Sequence, residues 1–129
     1  MKPRILFVDD EPDVLAGLRR TLSHRRADWD LQFVASGAEC LVRLEEGPCA
    51  VIVTDIRMPE MDGAELLQEV QRTHPGIVRV ALSGETAREQ ALRAMGAAHQ
   101  FLAKPCGPAA LERALGDALA LRSLVSDSR

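Results

Sequence analysis

Five short runs rich in β-branched and apolar residues alternate with five longer amphipathic runs, and the alternation never breaks along the chain. Arg4–Val8 reads as a strand that ends in acids, and Pro12 follows at a position suited to a helix's first turn. Val14, Leu15, Leu18 and Leu22 then fall at helical spacing and predict a helix to about Ser23. Leu31–Ala35 reads as a second strand, and Ser36 as the cap of a helix that stops at Gly47-Pro48. Ala50–Thr54 is almost continuously apolar, the mark of a strand buried on both faces. Ala64–Thr73 predicts a third helix, Ile77–Leu82 a fourth strand, and Thr86–Met95 a fourth helix closed by Gly96 at C′. His99–Ala103 is the fifth strand, and Pro108 opens a last helix running to about Leu124. Such alternation predicts an α/β fold, a parallel sheet with helices on both faces.

Length and composition narrow what this sheet serves. At 129 residues the chain holds one domain, taken here as residues 1–125, with 126–129 a polar tail or the start of a linker. Its longest apolar runs fall far short of the roughly 20 residues a membrane span needs. Met1-Lys2-Pro3-Arg4 leads into only four apolar residues before Asp9, so no signal peptide is expected and the location is cytoplasmic. A net charge of −3, one Trp, three Phe and no Tyr argue against direct nucleic-acid binding. Cys40, Cys49 and Cys106 lack metal-ligand spacing and read as reduced thiols. Because 14 of the 16 basic residues are Arg, the lone internal lysine, Lys104, stands out.

In sheets of this kind ligands bind beyond the carboxyl ends of the strands, where strand order reverses. Strand 1 ends at Asp9-Asp10, strand 3 at Asp55, strand 4 at Ser83 and strand 5 at Lys104. Strand 2 ends without such chemistry, which suits an edge strand in the order 2-1-3-4-5, the order of flavodoxin. That order makes strands 1 and 3 neighbours, so three carboxylates converge. Clustered carboxylates persist around a hard cation, and oxygen donors without His or Cys favour Mg²⁺. With a lysine, a hydroxyl and Gly84 beside them, they are the parts of phosphoryl transfer. Singly, each residue reads as an ordinary cap, turn or core position; Met58, Met61 and Met95 read as packing residues, and Asp62-Gly63 as a loop turn leading into helix 3.

The stretches Ile5-Leu6-Phe7-Val8-Asp9-Asp10-Glu11, Asp55-Ile56-Arg57-Met58-Pro59-Glu60-Met61-Asp62-Gly63, Leu82-Ser83-Gly84 and Gly96 to Pro105 appear in this order at these strand ends. With them the chain resembles the receiver domain of bacterial two-component response regulators over essentially its whole length. The resemblance implies a (βα)5 flavodoxin-like fold and Asp55 as phosphoacceptor, taking a phosphoryl group from a sensor histidine kinase or phosphotransfer protein. It implies Mg²⁺ held by Asp10, Asp55 and the backbone carbonyl of Arg57, with Asp9 acting through water. Ser83 and Lys104 would grip the phosphoryl oxygens, Phe101 would be the aromatic switch, and Pro105 would follow a cis peptide bond. Arg57 and Glu85 would face each other at the pocket rim and tune access of the hydrolytic water.

On this reading the chain is a signalling domain, catalysing only its own phosphorylation and dephosphorylation. Its helix 4/strand 5/helix 5 surface would control an output domain or partner protein. The apolar end of the last helix (Leu121, Leu124, Val125) suggests a partner, or a homodimer through that face. Residues His99 to Cys106 look like receivers attached to HD-type or related signalling domains. The competing class is an aspartyl-phosphate hydrolase of the haloacid-dehalogenase type. There the nucleophile lies in an Asp-x-Asp pattern on the first strand and the acid pair comes late, whereas here the pair comes first and Ile56-Arg57 follow Asp55.

Overall fold

The computed structural model describes residues 2–84, 88–104 and 106–127, of which 88 and 123–127 are described in backbone alone. The strands are β1 (Arg4–Val8), β2 (Asp30–Val34), β3 (Val51–Asp55), β4 (Val78–Ser83) and β5 (Gln100–Ala103). The helices are α1 (Pro12–Thr21), α2 (Gly37–Glu45), α3 (Gly63–Thr73), α4 (Arg88–Ala94) and α5 (Pro108–Asp127). All five strands pair in parallel in the order β2-β1-β3-β4-β5. The doubly wound arrangement expected from the alternation is therefore the one observed.

Alternate residues of each strand enter different cores. Leu6, Val8, Ile52 and Ala81 pack with Cys40 and Leu44 of α2, Leu66, Leu67 and Val70 of α3, and Ala94 of α4. Ile5, Phe7, Val51, Val53, Val80 and Leu82 pack with Leu111, Leu115 and Ala118 of α5 and with Leu15 and Leu18 of α1. Every residue of β3 is buried, as its apolar run demanded. Cys40 and Cys49 are buried and Cys106 half-buried, and burial pushes the Cys40 thiol up to about 12.

The turn expected at Asp62-Gly63, leading into the third helix, is that helix's own start. Asp62 is the N-cap of α3, its carboxylate accepting from the Glu65 N–H while the Glu65 side chain accepts from the Asp62 N–H. Gly96 does not act as a left-handed C′ residue, since no described glycine has positive φ. Instead the Ala94 carbonyl accepts from the N–H groups of Ala97 and Ala98, and Gln68 and Gln71 of α3 donate to the carbonyls of Arg93 and Gly96. Side chains from a neighbouring helix thus satisfy groups that a glycine motif would otherwise close. Helix α5 continues to Asp127 because no breaker intervenes and adding a turn to an existing helix costs little.

One buried polar residue escaped the sequence reading. Arg79 in β4 is 6% exposed, and its guanidinium donates to the carbonyls of Ala97, Ile77 and Pro75 at 2.6, 3.0 and 3.2 Å. Its backbone N–H donates to Nδ1 of His99 at 2.9 Å. Burial, and then the Arg79 charge, hold the His99 imidazole below its ordinary value.

Candidate functional site

The adjacency of β1 and β3 brings Asp9 and Asp55 together at the carboxyl end of the sheet. They are 1% and 6% exposed. Lys104, directly after β5, sets its Nζ 3.3 Å from Asp55 Oδ1 and 3.5 Å from Asp9 Oδ2. The Lys104 N–H donates to the Ser83 carbonyl, which fixes the start of that side chain against β4. Burial, and next the Asp9 charge, push the Asp55 carboxyl above its ordinary range; Lys104 opposes this in part. Burial alone would lower the Lys104 ammonium, but Asp55 and Asp9 outweigh it and hold it above its usual value. The pocket is thus crowded with negative charge that one lysine only partly offsets.

The donor set suits a hard cation. Carboxylate oxygens of Asp9, Glu11 and Asp55 lie within 4.8 Å of one another. One Asp9 oxygen accepts the Glu11 N–H at 2.9 Å, while the other is buried without a hydrogen bond and faces the Lys104 ammonium at 3.5 Å. At that distance the lysine offsets its charge without hydrogen-bonding it, which leaves this oxygen able to take a further cation or water contact. Glu11 lies in the acidic run Asp9-Asp10-Glu11, and the strand-end chemistry gives it no donor role. The strand-end pattern hid it, because its side chain returns to the cluster from the α1 N-cap position.

Asp10 is half-buried and lines a neighbouring cleft of about 390 Å³ with Arg57, Met58, Pro59, Asp62 and Gln90. Its charge also bears on Asp55. Gln90 had no sequence signal, since it comes from α4, far along the chain from the strand-end loops that supply the other cleft residues. Ser83 ends β4 half-buried, opposite Ala103 of β5. Phe101 is 38% exposed and shares an apolar hollow of about 250 Å³ with Ala91 and Leu92 of α4 and with Met95 just after it. Met58 and Met61 pack against the core as expected, whereas Met95 is 63% exposed and does not. Glu85 and Pro105 lie outside the described residues, as do the side chains of Leu124 and Val125.

Gly63 shows why the β3–α3 segment is built as it is. A Cβ there would stand 2.2 Å from the Asp55 carbonyl oxygen and 2.7 Å from the Ile56 Cα. The N-terminus of α3 therefore rests directly on the backbone that carries Asp55, and the Gly63 N–H donates to the Ile56 carbonyl at 2.8 Å. Only glycine permits that approach.

A parallel 2-1-3-4-5 sheet with an acid-and-lysine pocket at its switch point defines a class of small doubly wound α/β domains. Residues 5–116 match the family model of the response regulator receiver domain, and the chain belongs to that family. The transcriptional regulatory protein GlrR of Escherichia coli (strain K12) is 34% identical over 128 residues, covering 97% of this chain and 28% of that protein. The chain therefore spans little more than a quarter of this curated relative. A solved structure titled as adenylate cyclase from Rhodopirellula baltica superposes with TM-score 0.88 at 32% identity, covering 98% of this chain and 94% of that one. The signal receiver domain of an HD domain-containing protein from Pseudomonas fluorescens Pf-5 superposes with TM-score 0.89 at 26% identity, covering 95% and 98%. The chain is a receiver domain of two-component response regulators, and the haloacid-dehalogenase alternative is set aside.

Proposed function

We propose that Asp55 is the phosphoacceptor, receiving a phosphoryl group from the phosphohistidine of a sensor histidine kinase or phosphotransfer protein. A carboxylate oxygen of Asp55 attacks phosphorus as the bond to the donor nitrogen breaks. The observation that carries this reading is the Lys104 ammonium lying between the Asp55 and Asp9 carboxylates. Asp10, Asp55 and the Arg57 carbonyl would hold Mg²⁺, with Asp9 acting through water and Glu11 close by. The bound ion would neutralise charge on the transferring phosphoryl group. Lys104 supplies a fixed positive charge to one phosphoryl oxygen, and the Ser83 hydroxyl donates to another. Burial keeps bulk water from weakening these contacts.

The test is labelling with a small acyl phosphate, or with beryllofluoride, in the presence of Mg²⁺, followed by intact-mass and peptide mapping. Modification at Asp55 alone is expected, with loss on adding EDTA. Label that persists in Asp55→Asn refutes the assignment.

The phosphorylated form is read out through Ser83 and Phe101 on the α4-β5-α5 face. Phosphorylation adds up to about two negative charges and three acceptor oxygens, so the Ser83 hydroxyl, which otherwise donates to the Gly84 carbonyl at 3.4 Å, gains a charged acceptor only in that state. Ser83 then moves inward, and Phe101 takes the space beside β4. The exposed Leu92, Met95 and Phe101 support that face as the surface offered to an output domain, a partner or a second copy. Arg57 and Glu85 tune the lifetime of the phosphoryl group. The chain catalyses only its own phosphorylation and dephosphorylation, in the cytoplasm, without direct contact to nucleic acid. No helix among the described residues is long and apolar enough to cross a membrane.

A further inference from the structure

The cleft beside Asp55 has walls from two sources. Asp10, Arg57, Met58, Pro59 and Asp62 belong to the strand-end loops, whereas Gln90 belongs to α4. Its Gln90 wall stands where α4 stands. On α4, Gln90 and Arg93 are three residues apart and so share a face. Arg93 reaches across to Asp62, and the guanidinium hydrogen-bonds and ion-pairs with Asp62 Oδ2.

The anchor it reaches is rigid. Asp62 Oδ1 accepts from the Glu65 N–H at 2.9 Å as the cap of α3, leaving Oδ2 for Arg93. The next residue, Gly63, is seated on the Asp55 carbonyl and donates to the Ile56 carbonyl. Asp62 is therefore tied by backbone contacts to the segment that carries Asp55. Asp62 and Glu65, and then Glu89 of α4 itself, are the acids that hold Arg93 above its ordinary value. Gln68 adds a second tether, donating to the Arg93 carbonyl at 3.1 Å.

We propose that Arg93 is a positioning residue for the chemistry at Asp55. Its pairing with Asp62 holds α4 so that Gln90 closes one side of the cleft, limiting entry of small phosphodonors and of hydrolytic water. This rests on the assignment of Asp55 as phosphoacceptor. The direction follows from the geometry: the pair joins a short helix to a fixed anchor, so its loss lets the helix move outward and widens the cleft. Closure of an active-site wall is a familiar means of excluding water.

The experiment uses the full chain loaded with an acyl phosphate and follows loss of label from wild type, Arg93→Ala, Arg93→Lys, Gln90→Ala and the Arg93→Ala/Gln90→Ala double variant. Arg93→Ala is expected to shorten the phosphoryl lifetime roughly twofold to fivefold, within the range a partly exposed ion pair spans. Arg93→Lys should restore most of the lifetime, and raised salt should shorten the wild-type lifetime toward that of Arg93→Ala. Mg²⁺ affinity, measured by calorimetry, should stay unchanged. Because both residues act on one wall, the double variant should fall short of the product of the single effects. A lifetime in Arg93→Ala equal to or longer than wild type overturns the proposal, as do fully multiplicative effects. Uptake of label that survives Asp55→Asn instead overturns the phosphoacceptor reading beneath it, so the two failures are distinguishable.

Discussion

Replacing Gly63 with alanine puts one methyl group where the protein has none to spare. The new Cβ would sit 2.2 Å from the Asp55 carbonyl oxygen, 2.7 Å from the Ile56 Cα and 3.0 Å from the Asp55 carbonyl carbon. Comfortable separations are about 3.5 Å or more, so α3 must lift from β3 by roughly 1 Å. The strand cannot yield, because β3 is hydrogen-bonded on both sides, to β1 and to β4. Lifting α3 loosens Ala64, Leu66, Leu67 and Val70, all fully buried. A gap of that size forfeits a quarter to a half of each affected contact, so the cost is about 3 kcal/mol, the upper end of overpacking. In a chain of this size that lowers Tm by roughly 9–15 °C. Urea and thermal unfolding measure it directly.

Gly37→Ala is the control. There the new Cβ meets the side chain of Met61, with Sδ at 2.8 Å, and a flexible thioether moves aside for under about 1 kcal/mol. Equal stabilities for Gly63→Ala and Gly37→Ala would show that backbone contact does not set the β3–α3 spacing, and the reasoning would fail.

Four further outcomes follow from single features. Glu60 holds φ at 63°, a left-handed conformation that costs a side chain, so Glu60→Gly should raise the urea midpoint by the equivalent of about 1 kcal/mol; a lower midpoint contradicts this. His99 accepts the Arg79 N–H through Nδ1 and sits below its unfolded value of 6.5, so the unfolded chain binds more protons on acidification. Its contribution is complete above about pH 6.5 and lost as pH falls toward the folded value; His99→Asn should flatten that dependence in urea titrations at a series of pH values. Asp55 runs the other way: its folded carboxyl lies above the unfolded 3.8, so its ionisation costs stability as pH rises through that window. Asp55→Asn should therefore unfold at higher temperature near neutral pH, and a lower Tm would show that the Lys104 pairing outweighs burial. Ser83→Ala should still be labelled at Asp55 yet show weaker beryllofluoride-induced NMR shifts across α4 to α5, and equal shifts would place the switch elsewhere.

Periodicity, caps and strand-end chemistry are local, and they were legible in the residues alone. The five strands, the five helices and the acids and lysine at the strand ends all follow from patterns a few residues long. Ser36 illustrates the point, since a capping hydroxyl needs only its own helix, and it accepts the Glu39 N–H as expected. The 2-1-3-4-5 order was not legible in the residues: it was taken over from flavodoxin-like sheets, and the plain end of strand 2 only fitted it. What tertiary structure alone decided are distances between elements far apart in sequence. Glu11 joins Asp9 and Asp55, while Asp10 turns to the cleft, because of how α1 leaves β1. Gly63 must be glycine because α3 lies on the Asp55 backbone, a contact invisible in a turn-like Asp-Gly pair. Arg79 is buried because carbonyls of two separate loops converge on it, and Gly96 is spared a capping role because glutamines of α3 reach α4. Hydrogen bonds and close contacts of this kind depend on how helices seat on the sheet, and no local pattern encodes that seating.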